Sequence, residues 1–266
     1  MFAGTLAGSR LYRQADAAVV IDADASGSTS IAGNQIYSNA TGIRAGARTG
    51  SHRIVNNVIY DQTAHGVQLD AANVDGGVTQ LHNNTLHEGF ESAAPAVHVM
   101  GNSRNVDVRN NIFSVGAAAA LDIGAGSQVG LISDFNLFDL TTAGVGTGTA
   151  ARFSGADFPT LTSRRAALGL DLSSLEADPQ FVDADGADDI LGANGVDNGQ
   201  DDDFHLAIDR GKSLSVSPAD RDFALRFDDP ATANQGQTTY FERPGGPGVF
   251  DSPLTGVAEN FRADNA

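Results

Sequence analysis

The sequence contains no cysteine, a single lysine and no long apolar run. Without cysteine, a disulfide framework and a cysteine-ligated metal site are both excluded. No stretch approaches the roughly 18 apolar residues that a transmembrane helix needs. Basic side chains number 16 against 33 acidic ones, which gives a net charge of −17. A surface this acidic disfavours nucleic acids and anionic membranes as partners and suits cations.

What the sequence has instead is a period. An asparagine followed two residues later by a large apolar residue occurs five times, at intervals of 23, 27, 27 and 25 residues. The five asparagines are Asn34, Asn57, Asn84, Asn111 and Asn136. A recurrence in this range of lengths is typical of repeat proteins, in which each repeat is one structural unit.

Within each repeat the residues alternate between apolar and polar side chains. Ile54, Leu81 and Val108 each stand three residues before a repeated asparagine, and polar side chains flank them. A period of two predicts a strand with one inward and one outward face. A second β-patterned run follows each asparagine, as in residues 42–45. Because one such repeat cannot bury its apolar side alone, we predict an all-β solenoid, a single-stranded parallel β-helix with two strands per coil.

The repeated asparagines have a structural interpretation. Asparagine tolerates left-handed backbone angles at a tight bend, and stacked amides can hydrogen-bond to one another. We therefore predict an amide ladder along one corner of the solenoid. A shorter second ladder is predicted beside it, formed by Asn56, Asn83 and Asn110.

The period is lost after about residue 140. We assign residues 1–140 to the β-helix coils, residues 141–250 to an irregular C-terminal closing region, and residues 251–266 to a linker or tail. Within the closing region we predict a short helix over 161–168, strands at 178–183 and 203–206, and an acidic loop over 183–203.

Several segments resemble right-handed parallel β-helix proteins of the pectate-lyase-like superfamily, especially the secreted bacterial type. The resemblance rests on the Asn-x-Ile repeats and on residues 133–138, 177–183 and 203–206. It implies a right-handed parallel β-helix and an extracellular, cell-surface or periplasmic location. That superfamily includes polysaccharide lyases, hexuronate epimerases, glycoside hydrolases, adhesins and proteins of no known activity, so the fold alone does not select a function.

Two functions stay open at this stage. One is a non-catalytic extracellular scaffold, a surface or assembly component that binds polysaccharide or other protein subunits. The other is a polysaccharide lyase, epimerase or glycoside hydrolase acting on an acidic extracellular polysaccharide. A lyase needs a base and a cation beside the uronate carboxylate.

The outward positions of the first strand supply candidates for such a site. The candidate catalytic residues are His82, Arg109, Asp107 and Arg53, and the candidate carbohydrate-binding residues are Arg53, Gln80 and Arg109. Arg109 follows His82 by one coil at the same position, so we expect the two to lie about 5 Å apart along the stack. The alternative is an ordinary solvated face, since a β-helix places polar residues outside.

The acidic loop suggests a cation site. Hard oxygen ligands on a glycine-rich loop are what Ca²⁺ requires. The candidate ligands are Asp183, Asp185, Asp188, Asp189, Asp201 and Asp203. The competing interpretation is an acidic surface loop without a bound ion.

The period is already under way near Met1. An open first coil would present unpaired strand edges. We therefore expect either further coils upstream or a partner that covers this end.

Overall fold

The computed structural model describes residues 4–23, 27–88, 94–140, 148–193 and 199–206, with the backbone alone for residues 205 and 206. The predicted tail over 251–266, and the rest of the closing region from residue 207, lie outside the described residues. Within the described part, no helix is long and apolar enough to span a membrane.

Three parallel sheets run the length of the solenoid, because each coil contributes one strand to each sheet in turn. Sheet A consists of β1 (Gly4–Ala7), β4 (Thr29–Ala32), β7 (Ser51–Val55), β10 (Val78–His82), β13 (Val106–Arg109) and β16 (Ile132–Asp134). Sheet B consists of β2 (Arg10–Tyr12), β5 (Gln35–Tyr37), β8 (Val58–Tyr60), β11 (Thr85–Glu88), β14 (Ile112–Val115), β17 (Leu137–Asp139) and β20 (Leu175–Glu176). Sheet C consists of β3 (Ala17–Ile21), β6 (Thr41–Ala45), β9 (His65–Asp70), β12 (Val97–Met100), β15 (Ala119–Ile123), β18 (Thr149–Phe153) and the antiparallel β19 (Ala156–Phe158).

The all-β parallel solenoid is confirmed, but the prediction of two strands per coil is wrong. The missed strands are those of sheet B, which begin directly after each repeated asparagine. They are three or four residues long over the repeats. A run this short shows too little alternation to be separated from the turn beside it.

The core is a set of apolar stacks, one behind each sheet. Ile31, Ile54, Leu81 and Val108 are in cross-strand register in sheet A and are completely buried. Sheet B contributes Ile36, Ile59, Leu86, Phe113 and Phe138, and sheet C contributes Ile43, Val67, Val97 and Leu121. These inward positions agree with the alternation seen in the sequence.

The predicted amide ladder is present at the corner between sheets A and B. The Asn84 side-chain oxygen accepts from the backbone N–H and the Nδ2 of Asn57, both at 3.0 Å, and its own Nδ2 donates to Asn111 Oδ1 and to the Ile54 carbonyl. The same pattern links all five repeated asparagines, which we call the asparagine ladder. It ties each coil to the next inside the protein.

The left-handed residue of each bend is the one before the ladder asparagine. Gly33, Asn56, Asn83, Asn110 and Phe135 share this position, with φ between 56° and 63°. The prediction that the ladder asparagines themselves take the left-handed angles is therefore wrong. The second ladder also fails, because the buried Asn83 side chain has no hydrogen-bond partner in the described part of the chain.

A different second ladder lies at the corner between sheets B and C. The backbone N–H of Asn39 donates to Gln62 Oε1 at 3.1 Å, and the backbone N–H of Gln62 donates to Glu88 Oε2 at 3.0 Å. We call Asn39, Gln62 and Glu88 the mixed ladder. All three side chains are buried.

The stacking continues past residue 140, since β18 pairs with β15 and β20 pairs with β17. The predicted helix is confirmed as α1 (Leu161–Leu168). Its Thr160 N-cap accepts from the Ser163 N–H, and Gly169 closes it in a left-handed conformation. Two further strands, β21 (Phe181–Asp183) and β22 (Asp203–Leu206), form an antiparallel pair.

A buried ion pair behind α1 ends the asparagine ladder. Asp171 Oδ1 accepts from Asn136 Nδ2 at 3.0 Å, and Asp171 Oδ2 lies 2.8 Å from Arg164 Nη2. Both side chains are completely buried, and the Arg164 guanidinium stands 5.7 Å from the ring centre of Phe138. At the opposite end, β1, β2 and β3 are the outermost strands of their sheets.

Candidate functional site

The candidate catalytic residues lie on the outer side of sheet A. His82 is the cross-strand partner of Arg109, and Gln80 is the partner of Asp107, one coil apart in each case. Arg53 is the partner of Gln80 on the preceding coil. The sequence therefore placed these five side chains on one face correctly.

Three of these five side chains contact one another in a row. Asp107 Oδ2 lies 3.2 Å from His82 Nε2. The guanidinium of Arg109 binds the same carboxylate with both prongs, Nε to Oδ1 at 2.6 Å and Nη2 to Oδ2. We call His82, Asp107 and Arg109 the ionic row.

The contacts within the row keep the Asp107 carboxylate charged at neutral pH. Burial acts to raise the pKa of Asp107, but the contacts with His82 and Arg109 outweigh it and hold the pKa at about 2. The same contact raises the pKa of Arg109. Asp107 is thus ionised at neutral pH, with its charge already matched by a guanidinium within the protein.

Accessibility limits what the row can do chemically. His82 is 0% exposed, and Arg109 is 31% exposed at its side chain. A general base must reach the proton it removes, directly or through one water. His82 lies beneath the surface and faces Asp107, so its imidazole is not exposed to a substrate as a base. Arg53 is exposed and Gln80 is partly exposed.

The described parts of the acidic loop, residues 183–193 and 199–203, lie against sheet B. Among its predicted calcium ligands, Asp203 is partly exposed and the others are exposed. Partial desolvation, followed by the neighbouring Asp185, Asp189 and Asp203 carboxylates, raises the pKa of Asp183. Within the described residues, no group of three or more His, Asp or Glu side chains is arranged to hold a metal ion. Calcium binding by this loop therefore stays a prediction, which calorimetric titration with calcium chloride tests.

Beneath the loop lies a row of aromatic rings. Tyr12, Tyr37 and Tyr60 stack in successive coils with ring centres 5.1 and 5.0 Å apart. Phe204 continues the row at 4.7 Å from Tyr60 and contacts Phe181 edge-on. The strands on either side of the acidic loop thus serve as its apolar anchors on sheet B.

Polar contacts also fix the loop. Asp202, which the sequence did not distinguish from its neighbours, is buried and accepts from the Gly192 N–H at 2.9 Å. Desolvation raises the pKa of Asp202 to about 6. The Gly199 carbonyl accepts from Gln35 Nε2 at 2.9 Å, and a Cβ at Gly199 would lie 2.6 Å from the Tyr37 ring. The loop is therefore seated closely on the solenoid.

The structure places His82, His87 and His98 apart from one another, on sheets A, B and C respectively. It brings another pair together instead, His65 and His98, with ring centres 4.9 Å apart. Nothing in the repeat pattern pointed to this pair, because His65 precedes the part of the strand that recurs in every coil.

Residues 4–134 match the family model described as right handed beta helix region. The three parallel sheets and the single strand per sheet in each coil agree with that match. The matched region is a right-handed parallel β-helix. A search of the curated proteins and a search of the solved structures found no match to this chain. The β-helix accounts for the positions of the candidate residues on sheet A, but their chemistry must be argued from the side chains themselves.

Proposed function

We propose that this chain is a non-catalytic extracellular β-helix scaffold, a surface or assembly component. The observation that supports the proposal is the state of the ionic row. Its histidine is completely buried, and its carboxylate is neutralised by Arg109. The contact between His82 and Asp107 joins adjacent coils, and the buried imidazole cannot reach the proton of a substrate.

The outer face of sheet A is the part of the scaffold that we propose to contact a polysaccharide. Arg53 is exposed, and Gln80 and Arg109 are partly exposed. Guanidinium groups recognise carboxylates through paired hydrogen bonds, so an acidic polysaccharide is the matching ligand class.

Incubation with alginate, pectin and chondroitin tests the absence of lyase activity. Lyase cleavage creates unsaturated uronates that absorb in the ultraviolet. The scaffold proposal expects no new absorbance, together with measurable binding to one acidic polysaccharide that weakens in the Arg53→Ala and Arg109→Ala variants. The exposed Val20 on sheet C is a control position, since Val20→Ala should leave binding unchanged.

The second candidate is a polysaccharide lyase, epimerase or glycoside hydrolase acting on an acidic polysaccharide. The specific observation in its favour is that His82, Asp107 and Arg109 do meet on one face, with Arg53 beside them. Ultraviolet absorbance, or epimerised or hydrolysed product, that disappears in a folded His82→Gln or Arg109→Ala variant would establish this candidate and end the scaffold proposal.

A further inference from the structure

Two histidine side chains from neighbouring coils meet on the outer side of sheet C. His65 is the first residue of β9 and His98 lies within β12. Their ring centres are 4.9 Å apart and their planes are inclined by 50°. Asp122, the cross-strand partner of His98 on β15, lies close enough to His65 to influence its pKa. Neither function considered above uses these three side chains.

Each of the two imidazole rings has a nitrogen atom that makes no hydrogen bond among the described residues. The Nδ1 atoms of His65 and His98 are buried and have no hydrogen-bond partner in the described part of the chain. An imidazole nitrogen that makes no hydrogen bond within the protein is available to bind a metal ion.

The separation of the rings suits a shared metal ion. A metal–nitrogen bond of about 2.1 Å and about 1.2 Å from the nitrogen to the ring centre place each ring centre roughly 3.2 Å from the metal. Two such rings at a tetrahedral angle have centres roughly 5 Å apart. The observed separation of 4.9 Å between the ring centres agrees with this spacing.

We propose that His65 and His98 form a two-imidazole site for a divalent transition-metal ion of the zinc type. Imidazole is a preferred ligand of zinc, copper and nickel. Because no group of three or more His, Asp or Glu ligands occurs within the described residues, water molecules complete the coordination. Asp122 supplies a compensating negative charge from the adjacent strand. This site binds metal more weakly than a closed site with four protein ligands.

Arg152 is a built-in competitor of the metal ion. Its Nη1 lies 3.5 Å from Asp122 Oδ2, and its Nε donates to Asp157 Oδ1 at 2.8 Å. The Arg152 guanidinium partly neutralises the Asp122 carboxylate, whose negative charge would otherwise attract the metal ion. Removing it in Arg152→Gln is expected to tighten zinc binding by roughly threefold to tenfold.

Isothermal titration with zinc chloride, paired with thermal unfolding, tests the proposal on the full chain. We expect one saturable site and a rise in the melting temperature. His65→Gln and His98→Gln are each expected to weaken binding at least roughly tenfold, since each removes one of two protein ligands. Gln68→Ala is the matched control, because Gln68 lies beside His98 in register but has no imidazole. Its zinc affinity should equal that of the unchanged protein.

The proposal is overturned if the unchanged protein does not bind zinc, or if a folded His65→Gln/His98→Gln double variant binds it equally well. The second outcome would place the ion elsewhere, for example on the acidic loop. A readout that needs no variant is protection from diethyl pyrocarbonate, followed by peptide mass spectrometry. Zinc should protect both His65 and His98 from modification, and protection of neither would also refute the site.

Discussion

The β-helix has two buried polar corners, and they are built differently. The asparagine ladder repeats one neutral side chain in five successive coils and ends on the Arg164–Asp171 ion pair. The mixed ladder changes its residue at each step, from Asn39 to Gln62 to Glu88. Its last member is a completely buried carboxyl group, of which Oε1 has no hydrogen-bond partner among the described residues.

The difference shows what a buried ladder needs in order to be stable. An amide both donates and accepts, so each ladder asparagine serves the coil before it and the coil after it. A carboxylate only accepts, and burial penalises its charge. Desolvation accordingly raises the pKa of Glu88 well above its usual range, although the Gln62 N–H opposes the shift. The five amides of the first corner do not titrate, whereas the second corner contributes stability that depends on pH.

The largest effect is expected at the middle of the asparagine ladder. Asn84→Ala removes four hydrogen bonds, two accepted from Asn57 and two donated to Ile54 and Asn111. Because buried partners lose their bonds without access to water, the free energy of unfolding should fall by roughly 3–5 kcal/mol. Urea unfolding followed by circular dichroism measures the change.

The adjacent residue gives a matched control for the ladder. Asn83 is also buried, but its amide has no hydrogen-bond partner in the described part of the chain, and its φ is 57°. Glycine adopts this angle without strain, so Asn83→Gly should change the free energy of unfolding by only about 1 kcal/mol or less. If the two substitutions cost the same, the ladder bonds are not the source of the stability.

An effect of similar size is expected at the end of the same ladder. Arg164→Met leaves Asp171 buried without its ion-pair partner, which should cost roughly 3–5 kcal/mol in the free energy of unfolding. Asp171→Asn in the same molecule removes the uncompensated charge and keeps an acceptor for Asn136. Denaturant unfolding of the single and double variants should therefore show partial recovery in the double variant, and a double variant weaker than Arg164→Met would contradict this account.

These two corners also explain how much of the fold could be predicted from the sequence. The asparagine ladder was found because five coils use the same residue at the same position, and the inward stacks follow from period-two alternation. The mixed ladder was missed because Asn39, Gln62 and Glu88 differ in type and stand at different offsets from the repeated asparagine. A hydrogen-bond role can be filled by side chains of different length, so it leaves no repeated letter in the sequence.

For the candidate site, the sequence predicted which residues are neighbours but not how their side chains are buried or paired. Register along sheet A placed His82 beside Arg109 and Asp107 beside Gln80. The sequence did not reveal that His82 is buried, or that Arg109 folds back on Asp107 two residues away on its own strand. Nor did it reveal that the acidic loop places Asp202 beside Tyr60 of sheet B, since this contact joins segments of unrelated sequence pattern.

A smaller effect, visible as a pH dependence, is expected at the end of the mixed ladder. The pKa of Glu88 is raised in the folded protein. Its stabilising contribution is therefore present below about pH 4.3, the usual range of glutamate, and is lost as the pH rises through the folded pKa. Glu88→Gln removes this dependence and keeps an acceptor for the Gln62 N–H. In unfolding measurements at pH 4, 6 and 8, the free energy of unfolding of the variant should increase relative to that of the unchanged protein as the pH rises. A constant difference across this range would mean that Glu88 does not titrate with folding.

The smallest effect, of opposite sign, belongs to the ionic row. The contacts of Asp107 with His82 and Arg109 hold its pKa at about 2, despite the burial that opposes them. Its contribution is therefore present above about pH 3.9, the usual range of aspartate, and is lost as the pH falls toward 2. Asp107→Asn should be less stable than the unchanged protein at pH 7, and the two should converge near pH 2 in denaturant unfolding. The unfolding free energies of Asp107→Asn and the unchanged protein should converge on acidification, and those of Glu88→Gln and the unchanged protein should diverge at high pH. Together these two results would establish that a carboxylate in this solenoid is stabilising only where a cation is paired with it. Parallel curves for Asp107→Asn would instead show that the row holds the coils together by packing rather than by charge.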